Sequence, residues 1–257
     1  MKNKRNRNHA VSATFNATRD LLFPPRCVGC GDLLPPFVKT ATVFCPLCRT
    51  AWETALAEAA EQSARDAARG LVYLTGYRSG KTDGIPERLI YHMKHEDDCR
   101  VFRFVAERLA PRLMRAADIL PTRRPEGEDK PLLFTYPPRR RSAVRADGFD
   151  QAERLAKALS RTCGGDFAPL IRRTYRKSAE QKTLNSEDRA QNAAAAYVLT
   201  AKASEKIRDR TVVICDDLCT TGATLNRCAE LMVQAGARSV ILCTVARTGG
   251  KDGWVRD

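Results

Sequence analysis

No apolar run in this 257-residue sequence approaches the roughly 20 residues that a membrane-spanning helix needs, and stretches such as Val212 to Cys215 or Val240 to Cys243 are far shorter. The basic start, Met1 to Arg7, is followed by no apolar h-region, and Arg19 with Asp20 interrupts Phe15 to Phe23. A secretory signal is therefore not expected, and a reducing, cytoplasmic setting is. Histidine is scarce: His92 and His95 lack a third ligand, so no histidine metal centre is expected. Aromatic residues make up only 7% and are not interleaved with basic ones, which argues against a stacking platform for single strands. No G-x-x-x-x-G-K-S/T and no G-x-G-x-x-G occurs, so neither a Walker A loop nor a Rossmann fingerprint is present. A Ser-His-Asp or Cys-His constellation is missing too, and with it the case for a covalent nucleophile. Repeats of solenoid period are absent.

What is abundant is positive charge and cysteine. Lys plus Arg number 44 against 30 Asp plus Glu, a net +14, which points to an anionic partner such as phosphate or nucleic acid. Hydrophobic residues at 43% suffice for a sizeable core. Residues 1 to 20 read as a basic, aperiodic tail. From 21 to 52 the composition turns to Cys, Pro and Gly, the look of a module held by something other than a core. Residues 53 to 70, rich in Ala and Glu and stopped by Gly70, read as a connecting helix. The remainder, 71 to 257, reads as one α/β domain.

In that domain Leu71 to Tyr77 is a first strand, Pro86 opens a helix to His95, and Val101 to Ala117 is a helix that Pro111 should break. Leu132 to Tyr136 is a strand, followed by Pro137, Pro138, Arg139, Arg140 and Arg141 and then a helix from Phe149 to Arg161. The clearest pattern is Thr211 to Cys215 as strand, Asp216 to Gly222 as polar turn, Ala223 to Ala235 as helix and Ser239 to Val245 as strand, a βαβ unit. Its unalternating apolar runs predict a parallel sheet covered on both faces.

Cys27, Cys30, Cys45 and Cys48 form C-x2-C-x14-C-x2-C. Each pair sits on a tight turn that aims two thiolates at one point, the spacing of a structural zinc site. Paired disulfides fit poorly with the absence of a secretion signal, and a redox C-x-x-C does not explain a matched second pair. Four thiolates leave no open coordination position, so such a metal would fold the module and catalyse nothing. The other six cysteines lack ligand spacing and read mostly as small buried hydrophobes.

The segment Asp216-Asp217-Leu218-Cys219-Thr220-Thr221-Gly222-Ala223-Thr224 carries the densest chemistry. An apolar strand delivers two carboxylates to its C-terminal end, where a parallel sheet binds ligands. Thr220, Thr221, Gly222, Ala223 and Thr224 then wrap into a helix start, where hydroxyls and backbone N–H groups converge on an anion. Carboxylates beside a phosphate cradle suit sugar hydroxyls, so a ligand with both a diol and a phosphate fits. The plainer alternative is an acidic turn with a threonine cap.

This segment resembles the phosphoribosyl pyrophosphate (PRPP) signature of type I phosphoribosyltransferases. Together with the four cysteines, Tyr91-His92-Met93-Lys94-His95, Tyr136-Pro137-Pro138, Gly148-Phe149-Asp150-Gln151-Ala152 and the spaced Gln181, Leu184, Arg189 and Asn192, it resembles the ComF (ComF/GntX) family from Leu21 to Arg247. The resemblance implies a type I phosphoribosyltransferase fold behind an N-terminal zinc ribbon. It implies Asp216 and Asp217 on the ribose hydroxyls, residues 220 to 224 on the 5′-phosphate, and Arg139, Arg140 and Arg141 on a pyrophosphate carried with Mg²⁺. The region from Tyr175 to Asn192 would set the acceptor. The competing reading is a non-enzymatic competence accessory protein that binds single-stranded DNA and a DNA-uptake helicase through its basic clusters. One departure stands out: the family has Arg directly before its Gly-Phe motif, whereas Ala146 and Asp147 follow Arg145 here.

Overall fold

A computed structural model describes residues 24–35, 42–80, 82–119, 130–174 and 196–249. The expected tail, the acceptor region with Gln181, Leu184, Arg189 and Asn192, and most of the 121–131 loop lie outside them. The chain runs α1 (Pro46–Ala67), β1 (Leu71–Val72), β2 (Thr75–Tyr77), α2 (Ile85–His95), α3 (Cys99–Ile119), β3 (Leu133–Thr135), α4 (Arg141–Asp147), α5 (Gln151–Cys163), β4 (Asp166–Phe167), β5 (Ile171–Arg173), β6 (Tyr197–Leu199), α6 (Ala203–Ile207), β7 (Thr211–Cys219), α7 (Ala223–Gln234) and β8 (Ser239–Thr248).

The main sheet has the order β1-β8-β7-β3-β4, with β2 also on β8, and every pairing in it is parallel. Alternation along the strands sorts side chains into two cores. Val213 and Cys215 of β7, Ile241 and Cys243 of β8, and Phe134 of β3 face α3 and α5. Val212, Ile214, Val240, Leu242 and Leu133 face α7, α6 and the antiparallel pair β5–β6. Both faces are covered, which is why these strands are apolar throughout, and the expected α/β parallel-sheet class holds.

Three local expectations need correction. The connecting helix begins at Pro46, inside the expected ribbon span, because Pro occupies its first turn and Cys45 its N-cap position. Pro111 does not break α3. It lies on the exposed side, while Leu109, Ala110, Leu113, Ala116 and Ala117 are buried around it and hold the helix. The turn expected at Asp216 is still strand: β7 pairs with β8 as far as Cys219 opposite Arg247, so long-range ladder bonds carry the chain beyond the point where its apolar pattern ends.

Nor is the cysteine module a separate bead. Cys27, Leu34, Val43, Phe44, Cys48 and Trp52 belong to the same core as the α3 face of the sheet. Phe44 meets Phe104 of α3 edge-on at 5.4 Å between ring centres, and Trp52 lies 6.1 Å from the same ring.

Candidate functional site

The four thiols of Cys27, Cys30, Cys45 and Cys48 lie within 4.8 Å of one another. The Cys45 N–H donates to Cys27 Sγ at 3.2 Å. Gly29 lets the knuckle close, since a Cβ there would stand 2.6 Å from Cys48 Sγ. Burial opposes ionisation of Cys27, but N–H groups of Cys45, Cys30 and Gly29 outweigh it and bring the thiol down to about 7. Burial, with the neighbouring cysteines, pushes Cys48 up. The donor set fits tetrahedral zinc, whose thiolate demand would overcome both values. Arg88 of α2 donates to the Gly29 carbonyl, so the knuckle is tied to the helix that also reaches the second site.

That second site gathers at the C-terminal ends of β7 and β3. Asp217 is 5% exposed. Gln151 Nε2, at the start of α5, donates to Asp217 Oδ1 at 3.5 Å, and Lys94 Nζ of α2 lies 3.4 Å from Oδ2. The Asp217 N–H donates to Asp216 Oδ1 at 2.9 Å. Burial first, then the adjacent Asp217 charge, holds the Asp216 carboxyl well above the usual carboxylate range, and the Asp217 N–H offsets this only in part.

After Cys219 the chain turns through Thr220, Thr221 and Gly222 into α7. Gly222 sits at the N-cap with φ 75°, a left-handed conformation that glycine adopts at little cost. Neither Thr221 nor Thr224 is the N-cap; Thr221 Oγ1 instead accepts from Ala223 N at 3.4 Å. Thr248 at the end of β8 donates to the Thr220 carbonyl at 3.3 Å and fastens the turn to the sheet.

The three arginines prove unequal. Arg139 lies in the loop after β3, Arg140 is the N-cap of α4, and Arg141 is already helical. The Arg139 N–H donates to Asp150 Oδ2 at 2.9 Å, and its guanidinium pairs with Asp147 at 2.9 Å, while Nη1 is buried with no acceptor among the described residues. Asp147 also faces His95 Nδ1 at 3.3 Å. It thus stands where the resembled family has arginine and serves as the carboxylate that positions one; Arg145 is exposed on α4. Asp150 caps α5 by accepting from Ala152 N at 3.1 Å and Glu153 N at 3.4 Å. Consecutive residues Asp150 and Gln151 therefore connect the Arg139 loop to the acid pair.

Sequence alone assigns no role to Lys94, Asp147, Asp150 and Gln151. The signal for Lys94, Asp150 and Gln151 is their place in the stretches that carry the family resemblance, and for Asp147 its departure from the family pattern. A separate cleft of about 610 Å³ opens between the knuckle and the α2–α3 turn, lined by Arg26, His92, Asp97, Asp98 and Arg100 among others. None of the expected ribose or phosphate residues lines it.

Residues 143–256 match the phosphoribosyl transferase domain family. Over 100 residues the chain is 31% identical to Competence protein F of Haemophilus influenzae, covering 39% of this chain and 43% of that protein, so it spans less than half the length of this curated relative. Among solved structures, a hypoxanthine phosphoribosyltransferase from Staphylococcus aureus shares 13% identity over 65% of this chain and 76% of its own, at a TM-score of 0.34. An adenine phosphoribosyltransferase from Thermoanaerobacter pseudethanolicus shares 18% over 60% and 83%, at 0.35. The class is a phosphoribosyl transferase-type domain preceded by a four-cysteine module. That combination is the one the ComF resemblance implies.

Proposed function

We propose that the cleft at the ends of β7 and β3 binds a phosphoribosyl ligand, PRPP with its Mg²⁺, and that the protein is a phosphoribosyltransferase. The observation that carries the reading is the continuity of a paired-acid strand end with a threonine-lined turn at the start of a 12-residue helix. Asp216 and Asp217 take the ribose hydroxyls. Thr220, Thr221, Gly222, Ala223 and Thr224 take the 5′-phosphate, aided by the helix dipole. Arg139, with an unpaired buried Nη1 and an orientation set by Asp147 and Asp150, is the strongest of the three arginines for the pyrophosphate; Arg140 and Arg141 lie next to it.

In the reaction the bond from the anomeric carbon to pyrophosphate breaks and a bond to the acceptor forms. Positive charge develops on the sugar and negative charge on the departing group, so placement and electrostatics supply the rate. Mg²⁺ carried with the diphosphate would supply neutralisation of the leaving charge beside Arg139. The acceptor is set outside the described residues. Calorimetric titration with PRPP and Mg²⁺ tests the reading: the expected result is saturable binding that Asp217→Asn weakens at least tenfold, and heat unchanged by that substitution overturns it.

The name of the Haemophilus relative, with the +14 charge, favours a second reading in which the cleft serves binding only and the surface engages single-stranded DNA and an uptake helicase from the cytoplasmic side. Single-strand affinity that is unaltered by salt and by replacing Arg139, Arg140 and Arg141 would remove it. Among the described residues no helix is long and apolar enough to cross a membrane.

A further inference from the structure

Gln151 is 5% exposed, as buried as Asp217. Its amide donates to Asp217 Oδ1, which fixes the donor end toward the carboxylate and leaves Oε1 as the free acceptor. Oε1 receives no hydrogen bond from any described residue, and neither does Asp217 Oδ2. Lys94 sits 3.4 Å from that Oδ2 as a compensating charge, outside hydrogen-bond geometry. Two groups in contact, each more than nine-tenths buried, thus both keep an acceptor that no described residue hydrogen-bonds. Such groups are rare in folded proteins and demand a reason, because each lost hydrogen bond is costly.

A metal ion does not suit this pair. The ammonium of Lys94 already faces the Asp217 oxygen that Gln151 leaves open, and an amide oxygen adds no charge to offset a second cation. An anion is excluded by the two acceptors themselves. What matches two neutral or anionic acceptors beside a fixed ammonium is a neutral donor, and the donors of a pentose are its ring hydroxyls.

We propose that Gln151 is a sugar-reading residue of this cleft: Gln151 Oε1 and Asp217 Oδ2 together accept from the vicinal hydroxyls of a ribose 5-phosphate unit, and so select ribose over deoxyribose. This rests on the phosphoribosyl reading and deepens it, for the loss of one hydroxyl would leave a buried acceptor unpaired. A site built on hydrogen bonds to hydroxyls penalises the analogue that lacks one more strongly than an apolar pocket can. Asp150 holds the α5 end on which Gln151 sits, so the amide is presented by a capped helix rather than by a mobile loop.

The test is calorimetry on the full chain with ribose 5-phosphate and 2-deoxyribose 5-phosphate. Wild-type protein should bind the ribose compound about tenfold or more tightly. Gln151→Met, similar in shape but without the acceptor, should bring the two within about twofold, chiefly by weakening the ribose compound. Equal wild-type affinities overturn the inference without any variant, so it stays testable if Gln151→Met fails to fold. An unchanged ratio in a folded Gln151→Met protein overturns it as well. Wild-type protein that binds neither sugar phosphate nor PRPP overturns the phosphoribosyl reading together with it. Binding that Asp217→Asn abolishes but that is blind to the 2-hydroxyl removes only the role of Gln151.

Discussion

The Lys94 ammonium of α2 lies 3.4 Å from the Asp217 carboxylate at the end of β7, so a helix laid down before the main βαβ unit supplies the countercharge for its buried acid. Lys94→Met strips that charge from a carboxylate only 5% exposed. Because Lys94 itself is partly solvated, the expected loss is about 1–2 kcal/mol rather than the larger cost of a fully buried pair. The double variant with Asp217→Asn should regain most of it. Urea unfolding of the four-member cycle measures the coupling, and additive losses would show that the pair does not interact.

Asp216 gives the stability a pH slope. Its folded carboxyl is held well above the ordinary 3.8 by burial and then by Asp217, with Asp150 adding to the effect. Over the window that opens near 3.8 and extends upward to the raised value, the folded state holds more protons than the unfolded chain. Stability therefore falls as pH rises there. Asp216→Asn removes this contribution. The variant should match wild type at low pH and exceed it increasingly as pH climbs through the window, as read by thermal unfolding across a pH series. A constant difference would contradict the assignment.

Zinc removal should reach beyond the ribbon. Structural zinc contributes apparent binding energies of about 10–16 kcal/mol, and the ribbon shares its core with α3 through Phe44, Trp52 and Phe104. Chelation, or Cys45→Ser, should unfold the knuckles, expose Trp52 from its present 1% and lower the melting temperature of the whole chain. Tryptophan emission in a Trp254→Phe background reports it as a red shift. One equivalent of zinc per chain is the expected stoichiometry.

A buried pair joins the first helix to the last strand. Asp66 near the end of α1 pairs with Arg247 of β8, and also accepts from Tyr73 Oη at 2.9 Å and Gln62 Nε2 at 3.1 Å. Burial, followed by the Asp66 hydrogen bond and charge, pushes the Tyr73 phenol up to about 12. Asp66→Ala should cost about 3 kcal/mol, the scale of breaking a buried ion pair from one side. Asp66→Asn, which retains hydrogen-bonding capacity, should cost less. Arg247 precedes Thr248, which holds the Thr220 carbonyl, so the alanine variant should also loosen the threonine turn, as amide exchange at Thr221 and Gly222 would show.

Legibility followed sequence distance. The cysteine pairs and the run from Asp216 to Thr224 could be read because their chemistry is complete within one turn or one strand end. Pro111 misled because a propensity rule cannot know which side of a helix is solvated. The strand end at Cys219 was missed because the ladder with β8, not the local apolar pattern, extends β7. Gln151 and Lys94 stayed silent because a glutamine at a helix start and a lysine on an amphipathic helix are ordinary until their partner is known; Gln151 stands 66 residues from Asp217.

By itself, then, the sequence determined the parallel α/β class, the four-thiol module and the candidate acid–threonine turn, since each is encoded by periodicity or spacing over a few residues. The tertiary structure alone decided that the ribbon packs into the sheet's own core, that Arg139 is held by Asp147 and Asp150, and that Asp217 is shared between Lys94 and Gln151. Those outcomes depend on which helices the packing sets across the strand ends, and burial then makes every unpaired polar atom there costly enough to carry meaning.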